Sequence, residues 1–104
     1  DEKASWLMAC CLFDLGDKAS AIPWVQRAAS LAPAEVQNQM LLGVILQENG
    51  RFREAAAAYE KVVKLALEKR KTPSADVFIK LSYCYTKAGD NKKGSEAAAA
   101  GDRG

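Results

Sequence analysis

The chain has 104 residues, of which 49% are apolar and 27% are charged, a composition typical of one small globular domain. The net charge of +2 is too small to indicate binding to nucleic acid, to an acidic substrate or to a membrane surface. Histidine is absent, which removes the commonest general base and a frequent metal ligand.

The first apolar stretch, from Ala4 to Phe13, is interrupted by Ser5 and is too short to span a bilayer. It also lacks the basic lead-in and the cleavage pattern of a signal peptide. Because the chain begins at Asp1 without a methionine, we expect it to be an excised or processed part of a larger protein or complex. A cytoplasmic location is the expectation.

The three cysteines are Cys10, Cys11 and Cys84. Reduced, buried thiols in a reducing compartment are favoured over a disulfide or a metal site, because free cysteine behaves as a small hydrophobic residue. Adjacent cysteines without histidine lack the spacing of a zinc site. No metal or other cofactor is expected.

Apolar residues recur at helical spacing throughout the chain, as at Leu42, Ile45 and Leu46, and strand alternation is absent. The pattern predicts an all-α fold. The six predicted helices cover residues 3–15, 18–31, 34–49, 52–70, 74–88 and 91–100.

Glycines end three of these helices, at Gly16, Gly50 and Gly89, where a left-handed backbone closes the last turn. Asp17 and Asp90 follow two of them and are predicted to cap the next helix, which Arg51 at the corresponding position cannot do. Pro33 and Pro73 mark breaks. Pro23 predicts a slight bend or a later start of the second helix.

The same pattern occurs three times. A shift of 34 residues places Met8 on Leu42, and a further 39 places Leu42 on Leu81. Each unit has a small residue between two larger apolar ones: Ala9 between Met8 and Leu12, Gly43 between Leu42 and Leu46, and Ser82 between Leu81 and Tyr85. In the first two units this pattern is followed by an alanine and, four residues later, a larger apolar residue: Ala21-x3-Val25 and Ala55-x3-Tyr59. A period of this kind is typical of stacked helix pairs, each of which buries the apolar face of its neighbours.

These residues resemble the tetratricopeptide repeat (TPR), a helix–turn–helix unit of 34 residues. The resemblance implies a right-handed α-solenoid with repeats at about 2–35, 36–69 and 75–100 in a domain of residues 1–100. Gly94 and Ala98 replace the usual alanine and aromatic residue of the third unit. Residues 101–104 are expected to be a tail, either foreign to the protein or at a point of truncation.

The resemblance further implies that the first helix of each pair lines a concave groove with a largely apolar wall, which is typical of a binding site. The implied partner-binding residues are Trp6, Cys10, Phe13, Met40, Val44, Gln47, Ile79, Tyr83 and Lys87. Flanking repeats or a folded-back segment are the alternative occupants of the groove. Trp24 is expected to lie near the buried stripe of the second helix with Leu31 and to pack on the third helix.

One TPR subfamily grips the terminal carboxylate of heat-shock chaperones with basic and amide side chains. Of the matching residues here, Lys80 has the required charge and Asp76 would repel a carboxylate, which argues against that function. The predicted function is a protein-interaction module that binds an extended peptide or an amphipathic helix. The alternatives are a scaffolding segment of a longer superhelix and, less favoured, an RNA-binding repeat. An enzyme is not expected, because no catalytic constellation is present.

Overall fold

The computed structural model describes residues 2–103, and of residues 91 and 101–103 it describes the backbone alone. This part of the chain folds into six α-helices and contains no strand. The helices are α1 (Glu2–Asp14), α2 (Lys18–Leu31), α3 (Val36–Glu48), α4 (Phe52–Glu68), α5 (Ala75–Lys87) and α6 (Asn91–Arg103). The predicted all-α fold is confirmed. The third helix starts two residues later than predicted, and α6 continues to Arg103, three residues beyond its predicted end.

The glycines between paired helices adopt the left-handed backbone, with φ of +87° at Gly16, +78° at Gly50 and +88° at Gly89. At the first of these turns, the amide of Asp17 donates to the carbonyl of Leu12 at 2.9 Å. The amide of Gly16 donates to the carbonyl of Phe13 at 3.0 Å. The equivalent two bonds are present at the turns of Gly50 and Gly89, so carbonyls at the ends of these helices have partners.

The predicted aspartate caps are present. The carboxylate of Asp17 accepts from the amide of Ser20 at 3.2 Å, and that of Asp90 accepts from the amide of Lys93 at 3.1 Å. Arg51 makes no side-chain cap bond. Ser74 is a further cap that was not predicted, and its hydroxyl oxygen accepts from the amide of Val77 at 3.4 Å.

Pro23 lies inside α2, and the helix runs without interruption from Lys18 to Leu31. A later helix start at Pro23 is therefore wrong. The cap at Asp17 fixes the first turn, and the buried side chains of Ala21, Ile22 and Val25 hold the segment on the core despite the missing amide donor.

Each helix packs mainly on its neighbours in the sequence, which gives three helix pairs in a row. The first pair meets through Ala9 and Ala21, which are both fully buried. In the second pair Gly43 lies against the ring of Tyr59. Small residues at these positions let the two helix axes approach closely, as the repeat pattern predicts.

Contacts between α2 and α3 show how one pair follows the next. Near the start of α3, the amide of Asn38 donates to the carbonyls of Ala28 and Ala32 at the end of α2, at 3.2 and 3.3 Å. At the other end, Lys18 and Glu48 form an ion pair of 3.2 Å. The two helices are therefore antiparallel, and each junction between pairs sets the second helix of one unit on the first helix of the next.

The stripe that α2 buries consists of Ala21, Ile22, Val25, Ala28 and Ala29. Trp24 and Leu31 have 36% and 55% of their surfaces exposed, so they lie beside this stripe and are not part of it. The side chains of Ile22 and Ala29 are buried, because α2 packs on both α1 and α3.

The prediction of buried thiols holds for Cys84, which is fully buried, but not for Cys11, which is exposed. Cys10 is half-buried, and all three thiols are free. Cys11 is exposed because no described helix packs on its side of α1, the first helix of the stack.

Candidate partner-binding groove

The most exposed apolar side chains among the predicted groove residues belong to α5. Ile79 has 64% of its surface exposed and Tyr83 has 45%. The ring of Phe52, at the start of α4, meets the Tyr83 ring edge to face with 5.7 Å between the ring centroids. The Nζ of Lys87 lies 5.6 Å from the centroid of the same ring. Phe52 and Lys87 therefore pack on the Tyr83 ring, and part of the ring remains exposed.

The predicted groove residues of the first two units are less exposed than those of α5. Trp6 and Cys10 are half-buried on α1. Phe13, Met40 and Val44 are also half-buried, and they pack against the core. The predicted wall therefore offers its largest open apolar surface in the third unit, and the first two units offer only the outer parts of their side chains.

Gln47 is bound within the protein. Its Oε1 accepts a hydrogen bond from the hydroxyl of Tyr59 at 2.8 Å and from the thiol of Cys84 at 3.8 Å. These contacts join α3 to α4 within the second unit and to α5 of the third unit. Gln47 thus has a structural role in addition to the partner contact that the resemblance implies.

Burial raises the pKa of the Cys84 thiol to about 11 and raises the pKa of Tyr59 above its ordinary range. Both groups keep their protons at neutral pH and so can donate to Gln47. Desolvation, and then the charges of Asp14 and Cys11, also raise the pKa of Cys10. A raised thiol pKa disfavours the reactive thiolate.

Two ion pairs lie beside the predicted groove residues. Lys80 pairs with Asp76 at 3.1 Å, and Glu48 pairs with Lys18 at 3.2 Å. Lys80, the one residue of suitable charge for a carboxylate clamp, is thereby partly neutralised. The cation of Lys87 instead lies beside the Tyr83 ring.

The repeat pattern does not predict Phe52 as a neighbour of the groove residues. It lies on the second helix of its unit, and the equivalent residues Lys18 and Asn91 are polar, so the repeat pattern contains no signal for it.

An opening of about 630 Å³, which was not predicted, lies between α4 and the turn from α5 to α6. Its lining includes Arg53, Glu60, Tyr85, Lys92 and Lys93, and none of the predicted groove residues.

Among the described residues, no helix combines the length and apolar character needed to cross a membrane. The same part of the chain contains no cluster of three or more cysteine, aspartate or glutamate residues arranged to hold a metal ion.

The sequence model of the tetratricopeptide repeat family matches residues 2–35 and 36–69, more than half of the chain. The chain therefore belongs to the TPR family, whose members are protein-interaction modules and typically not catalysts. No curated protein matches the chain significantly in sequence.

Solved structures with the same fold include MamA MSR-1, with 18% identity, a TM-score of 0.84 and coverage of 99% of this chain and 56% of that one. MamA AMB-1 has 17% identity and a TM-score of 0.86, with coverage of 99% and 54%. YrrB, described as a TPR protein with an unusual peptide-binding site, has 20% identity and a TM-score of 0.84, with coverage of 97% and 50%. The chain thus spans about half the length of these proteins.

Proposed function

We propose that the groove binds an extended peptide or an amphipathic helix of a protein partner through apolar side chains of that partner. The observation that carries the proposal is the pair of exposed apolar residues on α5, Ile79 and Tyr83, the second of which packs against the ring of Phe52. Exposed, rigid aromatic side chains are typical anchors of protein interfaces. The peptide-binding site named for YrrB, which shares the fold, supports the same class of partner.

The character of the groove also suggests which partner residues it prefers. Ile79 and Tyr83 would contact apolar side chains, and Lys87 beside Tyr83 would favour an acidic group at one end of the segment. A partner of nucleic acid is disfavoured because the net charge is only +2.

The test is to select binders from a displayed library of random peptides against the intact chain and to titrate the best synthetic peptide against variants. Tyr83→Ala and Ile79→Ala should each weaken binding by about 2 kcal/mol, and Met40→Ala should weaken it less because Met40 is partly buried. Lys64→Ala, on the exposed side of α4, is the matched control and should have no effect.

A larger loss from Lys64→Ala than from Tyr83→Ala would place the site on an outer charged face instead. If the library yields no binder, the scaffolding alternative is favoured. The half-burial of Phe13, Met40 and Val44 against the core is the observation that supports this second function, because it reduces the surface left for a ligand.

A further inference from the structure

The opening between α4 and the turn from α5 to α6 is a second candidate site, separate from the groove. Its volume of about 630 Å³ is within the range of sites that hold a small ligand. Three cationic side chains line it: Arg53 in the first turn of α4, and Lys92 and Lys93 in the first turn of α6. The carboxylates of Glu60 and Asp90 line it as well. Cations therefore outnumber carboxylates around the opening.

The three cations of the opening are also unpaired. Arg51, near the same end of α4, pairs with Glu54 at 3.7 Å, but the cations of the opening form no ion pair with any residue that the structure describes. The carboxylate of Asp90 already accepts the amide hydrogen of Lys93 at 3.1 Å. Positive charge in the first turn of a helix is unfavourable, because the helix dipole favours acids there. An anion in the opening would offset this repulsion.

Small side chains keep the opening from being filled. Ala56 is 2% exposed on its α4 side, and the half-buried Tyr85 lies on its α5 side, with the Nζ of Lys93 at 5.7 Å from the ring centroid. At the junction between the first and second units, Ile22 stands at the position of Ala56, and Glu54 stands at the position of Lys93. The opening and its positive charge therefore belong to this junction and do not follow from the repeat pattern.

We propose that this opening binds the phosphate group of a phosphorylated segment of a protein partner. A phosphate monoester carries a charge of about −1.5 to −2 and three acceptor oxygens, which suit three cations better than a single carboxylate does. The guanidinium of Arg53 binds two of these oxygens, and Lys92 and Lys93 contact the phosphate from α6. The residue next to the phosphorylated one lies on Ala57 and against the Tyr85 ring. A protein is the source because TPR members are protein-interaction modules.

The first experiment is an NMR titration of the intact, isotope-labelled chain with the acetylated and amidated peptide Gly-Leu-pSer-Leu-Gly, where pSer is phosphoserine. The amide signals of Gly89 and Lys92, which line the opening, should shift with a Kd below about 1 mM. The same peptide without the phosphate should cause no shift. Added salt should weaken the binding, because the contacts are between charges at the surface.

Variants of the lining residues locate the site. Arg53→Gln and Lys92→Gln should each weaken binding of the phosphorylated peptide by about threefold to tenfold. Ala57→Leu keeps every charge but narrows the opening, so it should also weaken binding. Lys64→Gln is the matched control, because Lys64 is an exposed cation of α4 outside the opening, and it should bind like the parent. Tyr83→Ala should bind like the parent as well, which separates this site from the groove.

Two further probes test the chemistry of the ligand. Inorganic phosphate, and the peptide with glutamate in place of phosphoserine, should each bind more weakly than the phosphorylated peptide by about tenfold or more. Equal affinity for either probe overturns the proposal, because the site would then be a general anion site or one for acidic peptides. Absence of shifts with the phosphorylated peptide also overturns it, as does an equal loss of binding from Lys64→Gln and Arg53→Gln.

Discussion

At the scale of single residues, the contact between Gly43 and Tyr59 sets the distance between α3 and α4. A Cβ atom at position 43 would lie 2.5 Å from Cε1 of the Tyr59 ring, closer than carbon atoms approach one another. The ring cannot move aside easily, because Tyr59 is fully buried and its hydroxyl donates to Gln47. The position accordingly requires a residue without a side chain.

Replacement of this glycine is expected to force the second helix pair apart. Gly43→Leu should lower the free energy of unfolding by about 1–3 kcal/mol, the usual cost of overpacking. Urea unfolding followed by circular dichroism measures the effect. Ala57→Leu is the control, because it adds the same side chain at an exposed position of α4 and should change stability little. Equal midpoints for the two variants would contradict the close contact.

The sequence predicts residues of this kind when they recur in register. Gly43 has small counterparts in Ala9 and Ser82, so its role could be inferred from the pattern. Gln47 could not be assigned its internal role in this way, because the equivalent residues are Phe13 and Thr86. Its two hydrogen-bond partners come from α4 and α5, and only the folded arrangement brings them together.

At the scale of helices, the end of α4 differs from the other turns. Arg70 has φ of +56°, a left-handed conformation that its Cβ disfavours, while the amide of Lys71 donates to the carbonyl of Ala66 at 2.8 Å. This is the closing bond that follows Gly16 in the first turn. An arginine thus occupies a position that the rest of the chain gives to glycine.

We expect Arg70→Gly to stabilise the protein by about 1 kcal/mol, because glycine adopts this conformation without steric cost. Thermal unfolding should show a higher midpoint. The reciprocal change Gly16→Ala should lower the midpoint, since it introduces the same strain at φ of +87°. A lower midpoint for Arg70→Gly would mean that the arginine side chain stabilises this turn by more than its backbone strain costs.

Helix boundaries were predictable where glycine and aspartate fix them together, as at Gly16 and Asp17. Pro23 was harder to interpret, because local propensity favours a break there while burial of the surrounding residues keeps α2 continuous. The preference of a single residue was outweighed by packing on two neighbouring helices.

At the scale of the whole molecule, the repeat made the fold predictable, since three units in register leave few other arrangements. Exposure was less predictable. Cys11 and Ile45 occupy equivalent positions, yet one is exposed and the other fully buried, because only the second has a neighbouring unit on that side. A sequence pattern identifies an apolar face but not what lies on it. The groove assignment of Tyr83 and its neighbours remains a prediction.

The stability of the whole molecule should decrease at alkaline pH, because the buried Cys84 thiol and Tyr59 hydroxyl both have raised pKa values. Burial raises the pKa of Cys84 from an ordinary 9.0 to about 11 in the folded protein. Burial also raises the pKa of Tyr59 well above its ordinary value of 10.0. Between pH 9 and 11 the unfolded chain loses a thiol proton that the folded protein retains. The free energy of unfolding should therefore be constant in this respect below pH 9 and fall as pH rises towards 11.

Urea unfolding at several pH values from 7 to 11 measures this slope. Cys84→Ala removes one of the groups responsible, so its free energy of unfolding should fall less steeply above pH 9 than that of the parent. Parallel pH profiles for the two proteins would show that Cys84 does not contribute.

The helices contact chiefly their neighbours in the sequence, and this arrangement limits how far a local disturbance spreads. Opening of α6 exposes α5 but leaves the contacts of α1 with α2 intact. The molecule therefore does not have to open as a single cooperative unit: the outer helices, each covered on one side, separate at lower free energy than the central pair.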